Sequence, residues 1–243
     1  MTIRAVIFDI YDTLLAVSPP PADAAVRWHQ LWQEMLGAPA RVTLQEFAAQ
    51  CDQLVAREHT AARAAGVPYP EVFWPDIVGE VVPQLRRLTT GARDEFLFQQ
   101  AQLWHTVRLM PGAADALREL GQRGIVLGLA SNSQPYTLRE LDDALASAGL
   151  DRSLFAPGLC FFSFEHGFSK PDPHVFRLLT AQLRARAIAA GETLMVGDRL
   201  ENDIEPARRQ GWQTWQLTSV PASHGVNSGD WTGLALDCLA RNS

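Results

Sequence analysis

A short apolar run close to the first residue constrains the fold of this chain more than any other feature. Val6-Ile7-Phe8 is followed directly by Asp9. Adjacent β-branched and aromatic residues without polar alternation are typical of a strand covered on both faces, as in a parallel sheet. Ligands of such sheets bind at the carboxyl ends of the strands. We therefore predict a strand over residues 3–9 that places Asp9 at a functional edge, where a carboxylate can act as a nucleophile, a metal ligand or both.

After residue 112 the chain alternates between helical and strand patterns. Strand patterns are predicted at 125–130, 160–162, 193–196 and 212–217. Helical patterns are predicted at 113–123, 135–148, 173–189 and 203–210. Such alternation predicts parallel strands joined by right-handed crossovers, and we expect an α/β fold with a Rossmann-like three-layer parallel-sheet core. We predict a loop over 219–230 and a short final helix over 231–240.

The stretch between the first strand and this alternating region has a different character. Three prolines follow Ser18 and interrupt the chain. No strand pattern occurs from residue 22 to 108, and helical patterns cover 22–36, 43–65, 70–88 and 92–107. We therefore predict a core of residues 1–17 and 109–243, with an all-α cap domain of residues 18–108 inserted over the strand ends.

Composition excludes several classes of function. With a net charge of −6, the chain has no electrostatic footprint for nucleic acid or an anionic membrane. It contains no apolar run of about 18 residues that would span a bilayer, and because the first strand begins directly we expect no signal peptide. Its three cysteines, Cys51, Cys160 and Cys238, are widely spaced and predict reduced thiols in a cytoplasmic protein.

Polar residues follow the predicted strands at four separate places. They are Asp9, the pair Ser131-Asn132, Lys170, and Asp198 with Asp203. Because the carboxyl ends of parallel strands meet at one edge, we expect these side chains to converge. Carboxylates are ligands of Mg²⁺, and lysine together with the metal neutralises charge on a transferring phosphoryl group. This set of residues is typical of phosphoryl chemistry with a divalent cation.

The same residues resemble, in order, the four motifs of the haloacid dehalogenase-like (HAD) hydrolase superfamily. The resemblance extends over the whole chain, and the inserted segment is similar to the α-helical cap that follows the first strand in this group. The motifs are Asp9-Ile10-Tyr11-Asp12-Thr13, then Ser131-Asn132, then Lys170 before Pro171-Asp172-Pro173, and finally Gly197-Asp198 with Asp203.

This resemblance implies roles for the individual residues. Asp9 would be the nucleophile, forming an aspartyl-phosphate, and its second carboxylate oxygen would bind Mg²⁺. The Tyr11 backbone carbonyl and Asp198 would be further ligands, and Asp203 would bind directly or through water. Asp203 also has a plainer interpretation, since it could merely cap a helix N-terminus.

The remaining motif residues would contact the substrate. Ser131 would hydrogen-bond the transferring group, Lys170 would bridge it to Asp9, and Thr13 would position Asp9 or a neighbouring loop. Asn132 and Tyr11 are expected to contact the substrate, a small phosphate ester. Taken alone, Ser131 and Asn132 could merely end a strand and cap a helix, Thr13 could satisfy the backbone and Lys170 could be a solvated surface residue. We expect a monomer or homodimer with no nucleic-acid or membrane partner.

Tyr11 departs from the phosphatase form of the first motif. The resemblance implies Asp-x-Asp-x-Thr in phosphatases, where the second acid protonates the leaving group, and Asp-x-Tyr-x-Thr in dehalogenases. A phenol of pKa ~10 does not readily take over that role. Asp12 is the alternative donor, although it should point away from the site of residue 11 in an extended strand unless the chain turns locally.

Three functions are compatible with these residues. The acidic pair Asp198 and Asp203 favours a Mg²⁺-dependent phosphatase, which we expect. Tyr11 favours a metal-independent 2-haloacid dehalogenase, but those enzymes resemble Ser-x-Asn-x-x-Asp at the fourth motif, where this chain has Gly197-Asp198. The third is a weakly active or non-catalytic relative that binds a phosphorylated ligand or a protein partner.

Overall fold

A computed structural model describes residues 2–218 and 227–234 of the chain. Its strands are β1 (Ala5–Phe8), β2 (Leu15–Ser18), β3 (Thr106–Leu109), β4 (Val126–Ser131), β5 (Phe155–Phe162), β6 (Thr193–Gly197), β7 (Gln213–Leu217) and β8 (Ser228–Gly229). Its α-helices are α1 (Ala24–Leu36), α2 (Leu44–Ala64), α3 (Trp74–Val81), α4 (Thr90–Ala101), α5 (Ala113–Gln122), α6 (Pro135–Ser147), α7 (Pro173–Ala185) and α8 (Glu205–Arg209).

A six-stranded parallel sheet organises the core, with strand order β5-β4-β1-β6-β7-β8. The side chains of β1 alternate between its two faces. Val6 and Phe8 belong to an apolar cluster that includes residues of α5 and α6. Ala5 and Ile7 belong to a second cluster with residues of α7 and α8. The predicted three-layer α/β core is therefore confirmed.

Helices α1–α4 pack around an apolar cluster of their own. Trp28 and Trp32 lie at its centre, fully buried, with their rings 5.7 Å apart in an edge-on arrangement. Both tryptophans face inward because residues four apart share a helix face. The inserted segment thus has a helical core, while the exact boundaries of 18 and 108 stay a prediction.

The segment through which the insert returns to the core differs from the sequence-based prediction. The predicted helix over 92–107 ends at Ala101, and Thr106–Leu109 forms β3, antiparallel to β2. The β-branched Thr106 and Val107 suit a strand better than a helix end. The prediction of no strand before residue 108 was therefore wrong. The predicted helix over 70–88 is also interrupted, since α3 ends before Pro83 and Pro83–Arg87 forms a 3₁₀ turn.

Smaller differences concern the strands of the core. β1 is shorter than the predicted 3–9, and β5 begins at Phe155, where only 160–162 was predicted. Ser228–Gly229 pairs with β7, so the predicted loop over 219–230 was wrong at these two residues. Residues 231–234 are helical, and the rest of the predicted final helix lies outside the described residues.

Two further expectations concern membranes and cysteines. Among residues 2–218 and 227–234, no helix has the length and apolar character needed to cross a membrane. Cys51 and Cys160 are free thiols, and Cys238 lies outside the described part of the chain. Burial raises the pKa of the Cys51 thiol to about 12 and that of Cys160 to about 11, so neither is an activated nucleophile.

Candidate active site

Asp9 stands at the carboxyl end of β1, where the chain turns sharply. Its backbone N–H donates to the Val196 carbonyl of β6 at 2.9 Å, which fixes it at the sheet edge. The Leu15 N–H then donates to the Ile10 carbonyl at 2.8 Å, and the Asp12 N–H donates to the Leu15 carbonyl at 2.7 Å. Asp12 has a φ of 53°, so the strand does not continue through it. Residue 12 is therefore not in an extended strand, and the chain makes the local turn that the sequence left open.

A cavity of about 130 Å³ opens over Asp9. Its lining brings together residues from all four motifs. Among them are Tyr11 and Asp12, the two candidates for the group that protonates the leaving group. The lining residues are Asp9, Tyr11, Asp12, Asn132, Lys170, Arg199, Asn202 and Asp203. Arg199 and Asn202 were missed by sequence reasoning, although their position between Asp198 and Asp203 is the signal that could have identified them.

Lys170 is the central cation of this site. Its side chain is buried, and Nζ lies 2.7 Å from Asp9 Oδ1 and 2.5 Å from Asp203 Oδ1. The Asn132 side chain accepts from the Lys170 N–H at 2.7 Å and donates to the Lys170 carbonyl at 2.9 Å. Asn132 therefore holds the backbone of Lys170, while its predicted contact with substrate stays a prediction.

Asp203 is held by the loop that follows β6. Its Oδ2 accepts a hydrogen bond of 3.1 Å from the Arg199 N–H. A β-carbon on Gly197 would overlap the Asp203 carboxylate, so only glycine permits this approach. Asp203 lies in a π-helical turn, Leu200–Ile204, that leads into α8. Pro206 falls in the first turn of α8, as predicted.

Three carboxylates form a potential cation site. One oxygen from each of Asp9, Asp198 and Asp203 lies within 4.8 Å of the others. Burial raises the pKa of Asp9 to about 7, against the opposing effect of Lys170 and with a further increase from Asp203. Burial and the Asp203 charge also raise the pKa of Asp198.

The single ammonium group does not balance these acids. Burial alone would lower the pKa of Lys170, but the Asp203 and Asp9 carboxylates raise it above its ordinary value. Lys170 is therefore charged. Together with the Arg199 guanidinium, which lies 4.0 Å from Asp198 Oδ2, two positive charges face three carboxyl groups. An all-oxygen donor set with excess negative charge is what Mg²⁺ requires, and the residues present fit this ion.

Two predicted hydroxyl groups lack partners among the described residues. The Oγ of Ser131 and the Oγ1 of Thr13 are both buried and accept or donate no hydrogen bond there. A buried hydroxyl without a hydrogen-bond partner destabilises the fold, so these two groups indicate that a ligand or water supplies the missing hydrogen bond. A phosphoryl group would supply acceptor oxygens for Ser131.

The hydroxyl of Tyr11 is already engaged away from Asp9. It donates to Glu140 Oε2 at 2.5 Å and lies 2.9 Å from Thr137 Oγ1, both on α6. Burial and the Glu140 charge raise the pKa of Tyr11 far above its ordinary value. The phenol therefore keeps its proton, and a contact of Tyr11 with substrate stays a prediction.

A segment of the insert forms hydrogen bonds with the loop that carries Lys170. The Ser169 N–H donates to the Tyr69 carbonyl at 2.9 Å, and the Glu71 N–H donates to the Gly167 carbonyl at 3.0 Å. The Glu71 carboxylate also accepts from Ser163 Oγ at 2.7 Å and from Gln134 Nε2 at 3.1 Å. The insert is thus fastened to the loops after β4 and β5, a connection that the sequence did not predict.

Comparison with known proteins identifies a family. The model of the haloacid dehalogenase-like hydrolases matches residues 3–211. A phosphoserine phosphatase of Thermus thermophilus is 38% identical over 103 residues, which cover 42% of this chain and 38% of that protein. A glyceraldehyde 3-phosphate phosphatase of Pyrococcus abyssi is 33% identical over 108 residues, covering 44% and 42%. The chain matches less than half the length of these curated relatives.

Solved structures share the fold over nearly the whole chain. A 2-haloacid dehalogenase from Pseudomonas syringae pv. Tomato has a TM-score of 0.59 at 21% identity, with 100% of both chains covered. A predicted phosphoglycolate phosphatase from Haemophilus somnus has a TM-score of 0.53 at 17% identity, with 98% of both chains covered. At these identities the likeness establishes the architecture, and it is shared by a dehalogenase and a predicted phosphatase alike.

Proposed function

The chain belongs to the haloacid dehalogenase-like hydrolase family, and we propose that it is a Mg²⁺-dependent phosphatase acting on a small phosphate monoester. The carboxylates of Asp9, Asp198 and Asp203, gathered within 4.8 Å, carry this proposal. Displacement of halide from a carbon atom does not require such a concentration of negative charge. A divalent cation that offsets the charge of a phosphoryl group does. The phosphatases among its partial relatives support the same substrate class.

In the first step, an Asp9 carboxylate oxygen attacks phosphorus while the bond between phosphorus and the leaving oxygen breaks. This gives an aspartyl-phosphate and a free alcohol. Lys170 orients Asp9 through the 2.7 Å contact and presents positive charge beside the reacting group. The Ser131 hydroxyl donates to a phosphoryl oxygen. Bound Mg²⁺, held by Asp9, Asp198 and Asp203 with the Tyr11 carbonyl, would neutralise charge on the phosphoryl oxygens.

In the second step, water attacks phosphorus and releases phosphate, which restores the Asp9 carboxylate. Both steps need a group that gives and then takes a proton. We assign this role to Asp12, because the turn after β1 brings it into the lining of the cavity over Asp9. Tyr11 does not fill the role, since its hydroxyl is bonded to Glu140.

A 2-haloacid dehalogenase is the second candidate. Tyr11 at the second motif position favours it, and in that reaction Asp9 would form an ester with the carbon that loses halide. Such an enzyme would work without a metal ion. The three clustered carboxylates argue against it, because without a metal ion the Asp203 charge, only partly offset by Lys170, raises the cost of ionising buried Asp9.

A panel of phosphate monoesters, assayed for phosphate release with Mg²⁺ and with EDTA, tests the proposal. We expect Mg²⁺-dependent release, complete loss of activity in Asp9→Asn, and a phosphorylated Asp9 peptide by mass spectrometry after rapid acid quenching. Asp115→Asn is the matched control, because this carboxylate is exposed on α5. Halide release from 2-chloropropionate that EDTA leaves unchanged, without phosphate release from any ester, would overturn the phosphatase in favour of the dehalogenase.

A further inference from the structure

Glu140, on α6, is a buried carboxylate that the proposed reaction does not use. Its side chain is 1% exposed. It accepts from Tyr11 Oη at 2.5 Å and from Gln102 Nε2 at 2.5 Å, and it lies 2.9 Å from His105 Nε2. A carboxylate of this kind is costly to bury unless several donors surround it, and here three do.

The donors come from two distant parts of the chain. Tyr11 belongs to the turn that carries Asp9, whereas Gln102 and His105 lie between α4 and β3, where the chain returns from the insert to the core. The Tyr11 and His105 rings also touch edge to face, with centroids 5.6 Å apart. Glu140 is therefore the shared acceptor of the nucleophile turn and the returning segment.

Tyr11 is restrained at both its side chain and its backbone. Its hydroxyl is bonded to Glu140 and Thr137 on α6. Its backbone forms a β-bridge with Leu15, across the turn. The backbone between Asp9 and Asp12 cannot rotate without breaking one of these connections.

We propose that Glu140 is a positioning residue of the cation site, which fixes Tyr11 and with it the backbone that borders Asp9. The inference rests on the proposed function, specifically on the binding of Mg²⁺ next to Asp9. It gives residue 11 a reason to be tyrosine, since an aspartate side chain is too short to span the distance from the turn to α6. Partners that orient metal ligands are typically worth about 10- to 100-fold in metal affinity or activity.

Mg²⁺ binding to the full chain, measured by calorimetry without substrate, tests this role. We expect Glu140→Gln and Tyr11→Phe each to weaken Mg²⁺ binding about tenfold. The double variant should be no weaker than the weaker single variant, because both substitutions act on the same contact between Tyr11 and Glu140. Tyr11→Asp should weaken binding as well, although it restores an acid at this position.

Thr180→Val is the matched control, because it removes one buried hydrogen bond, from Trp212 Nε1 at 3.2 Å, on the far face of the sheet. It should lower the melting temperature without changing Mg²⁺ affinity. If Glu140→Gln does not fold, Tyr11→Phe alone decides the question. Wild-type affinity in the folded Tyr11→Phe and Glu140→Gln variants would overturn the positioning role and leave the phosphatase standing. A wild-type protein that binds no Mg²⁺ would overturn both.

Discussion

Asn132 holds both backbone groups of Lys170 with one side-chain amide. Its Oδ1 accepts from the Lys170 N–H at 2.7 Å, and its Nδ2 donates to the Lys170 carbonyl at 2.9 Å. The two residues are 38 positions apart and lie on the loops after β4 and β5. The direction of the Lys170 side chain towards Asp9 thus depends on a contact between neighbouring strand ends.

Replacing Asn132 should impair turnover more than stability. In Asn132→Ala, Lys170 loses its backbone restraint, and we expect kcat to fall about 100-fold, because small displacements of a reacting group have effects of this size. Steady-state kinetics and thermal unfolding check the prediction. Gln100→Leu is the control, since this buried amide accepts from Trp74 Nε1 within the insert. Equal losses of kcat in both variants would show that the effect is not specific to Lys170.

Removing the ammonium group should destabilise the metal-free protein. Lys170→Met leaves Asp9 and Asp203 as neighbouring buried acids, and the loss of one partner of a buried ion pair typically costs about 3–5 kcal/mol. Mg²⁺ should restore part of this stability, since it also neutralises the carboxylates. Urea unfolding in EDTA and in Mg²⁺ measures both effects.

The control for this variant is an exposed ion pair. Arg57→Met removes a guanidinium that lies 2.9 Å from Glu80 on the surface of the insert, where such solvent-screened pairs contribute little to stability. A loss in Lys170→Met no larger than that in Arg57→Met would contradict the central electrostatic role of Lys170.

Asp9 should make the stability of the metal-free protein depend on pH. Burial raises its pKa from 3.8 to about 7 in the folded state, so the folded protein binds this proton more tightly than the unfolded chain. The contribution to stability is complete below about pH 4 and is lost as pH rises through about 7. One pKa unit corresponds to about 1.4 kcal/mol, so the full effect is a few kcal/mol at most.

Asp9→Asn cannot lose a proton and should therefore gain stability relative to wild type between pH 5 and pH 8. Urea midpoints in EDTA at both pH values measure the difference, and Mg²⁺ should reduce it by favouring the ionised form of Asp9. Asp115→Asn, on the exposed face of α5, is expected to follow wild type. A difference between Asp9→Asn and wild type that stays constant with pH would contradict the prediction.

Sequence predicted which residues gather at the site because strand ends of a parallel sheet necessarily meet. Asp9, Asn132, Lys170 and Asp203 line one cavity for that reason. The sequence alone left open whether the chain turns at Asp12 or continues as a strand, because strand alternation does not say where β1 ends. The local path of the chain depends on the hydrogen bond from the Asp12 N–H to the Leu15 carbonyl.

The contacts of Glu140 and the pairing of β2 with β3 escaped prediction for a related reason. Both depend on segments that are far apart in sequence, such as Leu15 with Leu109 and Tyr11 with Glu140. Periodicity describes one segment at a time and contains no information on which distant segment will become its partner.

The assignment of Asp12 as the proton donor can be tested through the leaving group. In Asp12→Asn, alkyl phosphates should lose about 10²- to 10⁴-fold in kcat, the usual contribution of general acid–base catalysis. Aryl phosphates with acidic phenols should lose much less in the first step, because a phenolate departs without a proton. Rapid-mixing measurements of alcohol and phenol release separate that step from the hydrolysis of the aspartyl-phosphate.

Tyr11→Phe tests whether Tyr11, rather than Asp12, donates the proton to the leaving group. It removes a hydroxyl that is bonded to Glu140 and should lower the rates of alkyl and aryl substrates by the same factor, leaving their ratio unchanged. Asp12→Asn should change that ratio strongly. If Asp12→Asn instead preserves the ratio and Tyr11→Phe alters it, the tyrosine takes part in proton transfer despite its bond to Glu140, and Asp12 does not.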